Sequence, residues 1–254
     1  SDDQTENDGT VQTGFGKVSH WFDTRNGVAL TYDYTDANLS AGDDDFNDDF
    51  TGHTPGFTLN HRFTPHTMGF TGYTLTTRDF EDELNDDYVV HTATVGGEHA
   101  FSKDLSVSAM GGYFYAAIDG NQDADGPNYA LDLKKAFEHA SVNLTGEGGW
   151  SEDYLDAERT TFTRYHQVGA RAEYQFLEPL TGYVNGSYRW NEDGDDQVWE
   201  ILQGGGGLRW VFLRWYTAAL EYTYRERSDD VAEDEYKDNR VMLILTASKL
   251  YRIW

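Results

Sequence analysis

Cysteine is absent from this 254-residue chain, so it has neither a disulfide framework nor a thiolate metal site. Proline (4) and methionine (3) are scarce. No run of eighteen apolar residues occurs, which excludes a transmembrane helix. Basic residues are the other shortage: 19 Lys and Arg face 45 Asp and Glu, a formal charge of −26. Phosphate backbones are repelled by such a chain, so nucleic acid is not an expected partner. The histidines, His20, His53, His61, His66, His91, His99, His139 and His166, form no His-Glu-x-x-His pattern and no spaced ligand set. No hydrolase motif accompanies them, and the chain reads as a non-enzyme. No signal peptide is visible at Ser1-Asp2-Asp3, which reads as a processed or trimmed start.

What is present is alternation. Between Tyr165 and Trp190 two runs of side chains flank a minimal turn at Leu177–Pro179. In the first run Val168, Ala170, Ala172, Tyr174 and Phe176 share a face opposite Gln167, Gly169, Arg171, Glu173 and Gln175. In the second, Leu180, Gly182, Val184, Gly186, Tyr188 and Trp190 oppose Thr181, Tyr183, Asn185, Ser187 and Arg189. A period of two predicts β-strands, and the short turn makes them an antiparallel hairpin. Each run is long enough to cross a bilayer when tilted. One apolar face ending in aromatics and one face carrying charge describe a strand with lipid outside and water inside. The mean hydropathy of −0.69 is compatible with this, because only alternate residues meet lipid.

The hairpin recurs. A Phe stands before each of six short turns, at Phe22, Phe63, Phe101, Phe137, Phe176 and Phe212, and an acidic stretch follows each hairpin. Such a period also suits a solenoid or propeller. Paired strands of near-equal length, with every long connection at one end, favour hairpins of one barrel. The expected strands are 10–22, 27–38, 56–63, 67–77, 88–101, 105–118, 129–137, 140–150, 165–176, 180–190, 197–212, 215–227 and 240–251. The expected fold is thus all-β, a transmembrane antiparallel up-and-down barrel with 12–14 strands in this chain. Residues 1–9 read as an acidic loop or lead, and 10–254 as the barrel. Six hairpins plus a final strand give an odd number, whereas bacterial single-chain barrels have even numbers. The chain is therefore expected to be part of a larger barrel, its missing strand supplied by another polypeptide or an upstream segment. Four consecutive glycines, Gly204–Gly207, predict sharp curvature or close backbone approach in one strand.

At the C-terminus, NRVMLILTASKLYRIW alternates through Val241, Leu243 and Leu245 and ends in Trp254. It resembles the last strand of bacterial outer-membrane β-barrel proteins, whose terminal aromatic is read by the barrel assembly machinery. Lys249 and Arg252 interrupt the usual apolar alternation. More loosely, the Phe–turn–strand–Tyr repeat resembles the β-barrel porin families of Gram-negative bacteria. The resemblance implies residence in the bacterial outer membrane, among lipid and lipopolysaccharide, with the assembly machinery as partner and Trp254 as its signal.

Four groups of residues are candidates for function. Asp33, Arg62, Glu98, Glu147, Arg171, Glu173, Arg189, Arg209, Glu221 and Arg225 fall on polar faces and are expected to line the lumen, as are Asp132 and Lys134. They either set up a transverse field in a channel or pair across a closed lumen. Asn121, Asp123, Asp125 and Asp132 have the spacing of a calcium-binding loop, although such a loop needs flanking helices and Asp132 falls in a strand. A solvated acidic rim is the plainer reading of these loops, and no other cofactor is expected. His61, His91, His99 and His166 fall on outward faces, where interfacial positions are expected. Aromatics form the last group, the six Phe at one rim and Tyr34, Tyr115, Trp150, Trp190 and Tyr224 near the other. The expected function is a passive, modestly cation-preferring pore. The alternative is a scaffold barrel plugged by a partner protein or a secreted polymer.

Overall fold

The structure, a computed structural model, describes residues 8–40, 49–81, 87–120, 122–152, 162–192, 198–212, 215–229 and 235–247. Thirteen strands are present: β1 (Asp8–Trp21), β2 (Asn26–Ser40), β3 (Phe50–Thr64), β4 (Thr67–Phe80), β5 (Tyr88–Ser102), β6 (Leu105–Ile118) and β7 (Ala124–Ala136), followed by β8 (Ala140–Glu152), β9 (Phe162–Leu177), β10 (Leu180–Glu192), β11 (Val198–Phe212), β12 (Tyr216–Asp229) and β13 (Tyr236–Ala247). They form one sheet in chain order, each strand antiparallel to the next, as an up-and-down barrel wall requires. Among the described residues β1 and β13 are the two edges, and no ladder joins them. Both run from the long-connection end to the short-turn end.

The strands exceed their sequence-predicted bounds at the long-connection end. β3 begins at Phe50 instead of Gly56, β7 at Ala124 instead of Tyr129, and β13 covers Tyr236–Ala247 where 240–251 is expected. Polar residues and two prolines hide these extensions, and both prolines sit where a ladder is interrupted. The β3–β4 ladder skips from His53 to Gly56 around Pro55, and the β7–β8 ladder starts only at Tyr129, past Pro127. A residue without an N–H is tolerated at such gaps.

Register fixes the two faces, because residues directly opposite one another point the same way. One row runs Val18, Leu30, Phe57, Tyr73, Ala93 and Tyr113 from β1 to β6. The adjacent row, Lys17, Thr31, Gly56, Thr74, Thr92 and Phe114, lies on the other face. This settles β1, whose alternation is untidy: Phe15 lies opposite Asp33 and faces inward, while Val18 lies opposite Leu30 and faces outward. The outward apolar side chains are open to the surroundings, with Val168 60% exposed, Val184 62% and Leu243 70%. Apolar exposure on this scale marks a surface that meets another apolar phase. The fully buried side chains lie on the inner face near the long-connection end, with Val90 and Phe114 packed beside Tyr88 and Ala116.

Two belts bound the apolar band. At the short-turn rim each Phe carries a partner two residues earlier on the same face. The rings of His20–Phe22, His61–Phe63, His99–Phe101, Tyr174–Phe176 and Trp210–Phe212 lie 4.4–5.1 Å apart, and Lys135 sits over Phe137. At the other rim Tyr32 pairs with His53 (2.7 Å), Tyr73 with His91 (2.6 Å) and Tyr129 with His166 (2.9 Å). From His53 to Phe63, His91 to Phe101 and His166 to Phe176 is ten residues in each case. At ~3.3 Å per residue that is about 33 Å of strand. A tilt of about 35–45° brings it to about 25 Å across the membrane, the height of an outer-membrane apolar band.

Candidate functional site

The candidate site is the inner wall. Every residue expected to line the lumen lies on that face by register. Asp33 sits opposite Phe15 and Thr54, Glu98 opposite Met68 and Ser108, and Glu147 opposite Ala130 and Gln167. Arg209 lies opposite Thr181 and Ala219 near the short turns, where Arg62 donates from Nη1 to the Thr24 carbonyl (3.2 Å). The Tyr183 hydroxyl hydrogen-bonds Glu221.

The arginines are held neither by a facing wall nor by partners across the lumen but by their own wall. Arg171 donates to Glu173 two residues along β9 (2.6 Å) and lies 4.5 Å over the Tyr183 ring of β10. Arg189 donates to Asn191 (2.6 Å) and to Ser151 Oγ (2.7 Å), and lies 4.2 Å over Tyr165. Arg62 lies over Trp21, Arg78 over Phe50, Arg225 over Tyr236 and Arg227 over Trp199. Each such stack contributes about 0.5–2 kcal/mol, most where water is excluded. Arg78 is the most sheltered of these, and Arg227 also pairs with Asp229 (3.0 Å). The aromatic partners are what sequence reasoning misses. Tyr183 and Tyr165 stand at polar-face positions in the hairpin, yet only the strand register shows which arginine each meets. The wall that results is braced, and its acidic and basic groups are near balance.

Of the calcium-loop residues, the described Asp123, Asp125 and Asp132 do not converge. Asp123 and Asp125 accept hydrogen bonds from Tyr115 and Tyr113, and Asp125 lies on the outward face of β7. Asp132 lies on the inward face of the same strand and pairs with Lys134 (3.1 Å). Once the chain is a strand instead of a loop, side chains an odd number of residues apart point to opposite faces. Asn121 lies outside the described residues, as do Trp254 and the rest of the C-terminal segment from residue 248. A second correction concerns Trp150, expected in the outer girdle. It packs against the inner cluster of Tyr88, Val90, Phe114 and Ala116, beside the top of β8 where the β7–β8 ladder has ended. His61, His91, His99 and His166 take the expected outward, interfacial places.

A solved structure shares this architecture. The outer membrane channel DcaP of Acinetobacter baumannii superposes with a TM-score of 0.59 at 11% identity, over 94% of this chain and 97% of that one. The fold is that of an outer-membrane β-barrel. OccAB4 of Acinetobacter baumannii matches at a TM-score of 0.48 and 14% identity, over 93% of this chain and 72% of that one. OmpT lacking loop L8, an outer membrane protein of Vibrio cholerae, matches at 0.44 and 12%, over 94% and 99%. No family model matches the chain, and neither does any curated protein. At such identities the likeness carries the fold, and what passes through this barrel has to be argued from its own wall.

Proposed function

We propose that this barrel is a passive, water-filled conduit across the outer membrane, with no covalent chemistry. The observation that carries the reading is an inner face with polar side chains along the span, opposed to an exposed apolar outer face. Polar side chains line the wall from Arg62 and Arg209 at the short turns to Arg189 and Arg225 towards the long connections. A wall that only had to pack would exclude water, whereas this one supplies groups that need it. The long connections hold a single basic residue, Arg159, among clusters such as Asp43–Asp45 and Asp195-Asp196. A mouth of one sign raises the local concentration of counter-ions, so the conduit prefers cations modestly. Reconstitution in planar bilayers tests this: stepwise currents support the conduit, and silence at every protein concentration refutes it.

One observation favours a second reading, a scaffold barrel filled by a partner. Val90, Phe114 and Ala116 form a buried apolar cluster on the inner face near the long connections, which a wall that only holds water does not need. A silent bilayer together with a polypeptide or polymer that copurifies through stringent washing supports that reading over the first.

A further inference from the structure

The inner wall of β8–β11 contains a recess of about 200 Å³ centred on Gly169. One ladder row crosses it, with Thr145, Gly169, Ser187 and Gln203 on successive strands. The missing side chain of Gly169 makes the hollow: a Cβ there would stand 2.7 Å from the Thr145 hydroxyl. Asn143 and Asn185 flank the row on the short-turn side, where both oppose Arg171, and Gln167 closes it on the other. Six uncharged hydrogen-bonding side chains thus line one hollow within the membrane span, with Arg171 also in its wall. Among the described residues none of the six makes a side-chain hydrogen bond to protein, unlike the arginines above and below them. The Asn143 Oδ1 atom is also buried without a partner.

We infer that this recess binds a small neutral polyhydroxylated solute, of the size of a single sugar ring. The amide and hydroxyl side chains of the lining decide the class, because they offer donors and acceptors side by side. A hydroxyl answers both, whereas a carboxylate only accepts. An ammonium group is disfavoured because the lining of the hollow includes no carboxylate. The Arg171 charge is already committed to Glu173 and to the Tyr183 face, so it does not draw an anion into the hollow. Carboxamides present a donor and an acceptor side by side, which matches hydroxyls that act as both. The volume lies below the roughly 300–1,000 Å³ of pockets for drug-sized ligands, so a single ring fits and a chain of rings does not.

The inference rests on the conduit reading only for access to the hollow, so binding and conduction are measured separately. Equilibrium dialysis of the detergent-solubilised full chain against radiolabelled D-glucose is expected to show saturable binding, with D-gluconate weaker. The double variant Asn185→Ala/Gln203→Ala is expected to bind roughly tenfold more weakly, for the loss of two hydrogen bonds. Thr94→Ala, on a distant part of the same inner face, is expected to leave binding unchanged. Ser187→Phe fills the hollow while keeping every carboxamide, and decides the matter if the double variant does not fold; it is expected to abolish binding. Non-saturable uptake, tighter binding of gluconate, or full binding by Ser187→Phe would overturn the inference. Saturable glucose binding by a protein silent in bilayers supports the recess and refutes the conduit; stepwise currents without binding do the reverse.

Discussion

Val95 and Thr94 are neighbours on β5 that the register sends to opposite faces, which makes them a direct test of the barrel. Val95 is 65% exposed on the outer face, opposite Thr71 and Gly111. It stands four residues from His91 and six from Phe101, close to the middle of the apolar band. An arginine placed there must be carried into the bilayer interior, at about 2–4 kcal/mol near the midplane. Thr94 points to the inner wall, opposite Gly72 and Gly112, where an added guanidinium enters water. Thr94→Arg is therefore expected to cost less than about 1 kcal/mol, the usual range for a substitution that leaves packing alone. At 1.4 kcal/mol per tenfold, Val95→Arg shifts the folding equilibrium roughly thirty- to several-hundred-fold. Denaturant titration of folding into phospholipid vesicles reads this difference directly. Equal costs, or a greater cost for Thr94→Arg, would refute the assignment of faces and with it the membrane span.

Asp23 caps the first short turn: Asn26 Nδ2 donates to its Oδ2 (2.8 Å), and the Arg25 and Asn26 N–H groups donate to its Oδ1. These bonds hold its carboxyl below the usual value. The turn's stabilisation is present at neutral pH and lost as pH falls through that lowered pKa, and Asp23→Asn should remove this acid step from the pH dependence of unfolding. Single-channel reversal potentials in a salt gradient should show cation preference at low ionic strength, fading at high salt; anion preference at low salt would sink the proposal. Protease added to intact cells should cut the acidic connections, whereas cleavage only after the outer membrane is opened would place them on the inside. Within the glycine run, a Cβ on Gly207 would come 2.8 Å from the Leu220 carbonyl oxygen, while one on Gly204 meets nothing closer than 4.0 Å. Gly207→Ala should thus cost about 1–3 kcal/mol. Gly204→Ala should be neutral or stabilise by up to about 1 kcal/mol, and a reversed order in unfolding titrations would remove the packing account of the run.

The hairpins were legible because alternation and the repeated Phe are local signals, and Phe22 through Phe212 all fall within one residue of a strand end. The glycine run was legible as close backbone approach, which Gly205, Gly206 and Gly207 make to carbonyls of Tyr222, Tyr183 and Leu220. The upper parts of β3 and β7 were not legible: above the apolar band neither face meets lipid, so alternation fades, and Pro55 and Pro127 argue locally against a strand. The calcium-loop spacing failed for the same reason, since a liganding pattern written for a loop loses its convergence when Ala124–Ala136 is extended. The recess was beyond sequence reading altogether. Its residues come from four strands, and nothing before the register is known places Gln203 beside Ser187.

Rim and recess also act over different distances, which separates the two kinds of selectivity proposed for this barrel. Gln203 lies five residues into β11 from Val198, about 17 Å down the wall at ~3.3 Å per residue. The Debye length is about 8 Å at physiological ionic strength, so the field of the acidic mouth has largely decayed at the recess. There the immediate wall decides: Arg171 is paired with Glu173, and Arg189 is held by Asn191, Ser151 and the Tyr165 face. A neutral solute is thus insensitive to the mouth and sensitive to the carboxamides, while a small cation is concentrated by the mouth and indifferent to the hollow. At about 0.01 M salt the screening length grows to about 30 Å and spans that distance. Ion selectivity should therefore depend steeply on salt, whereas glucose binding should stay flat over the same range, because no charge takes part in it.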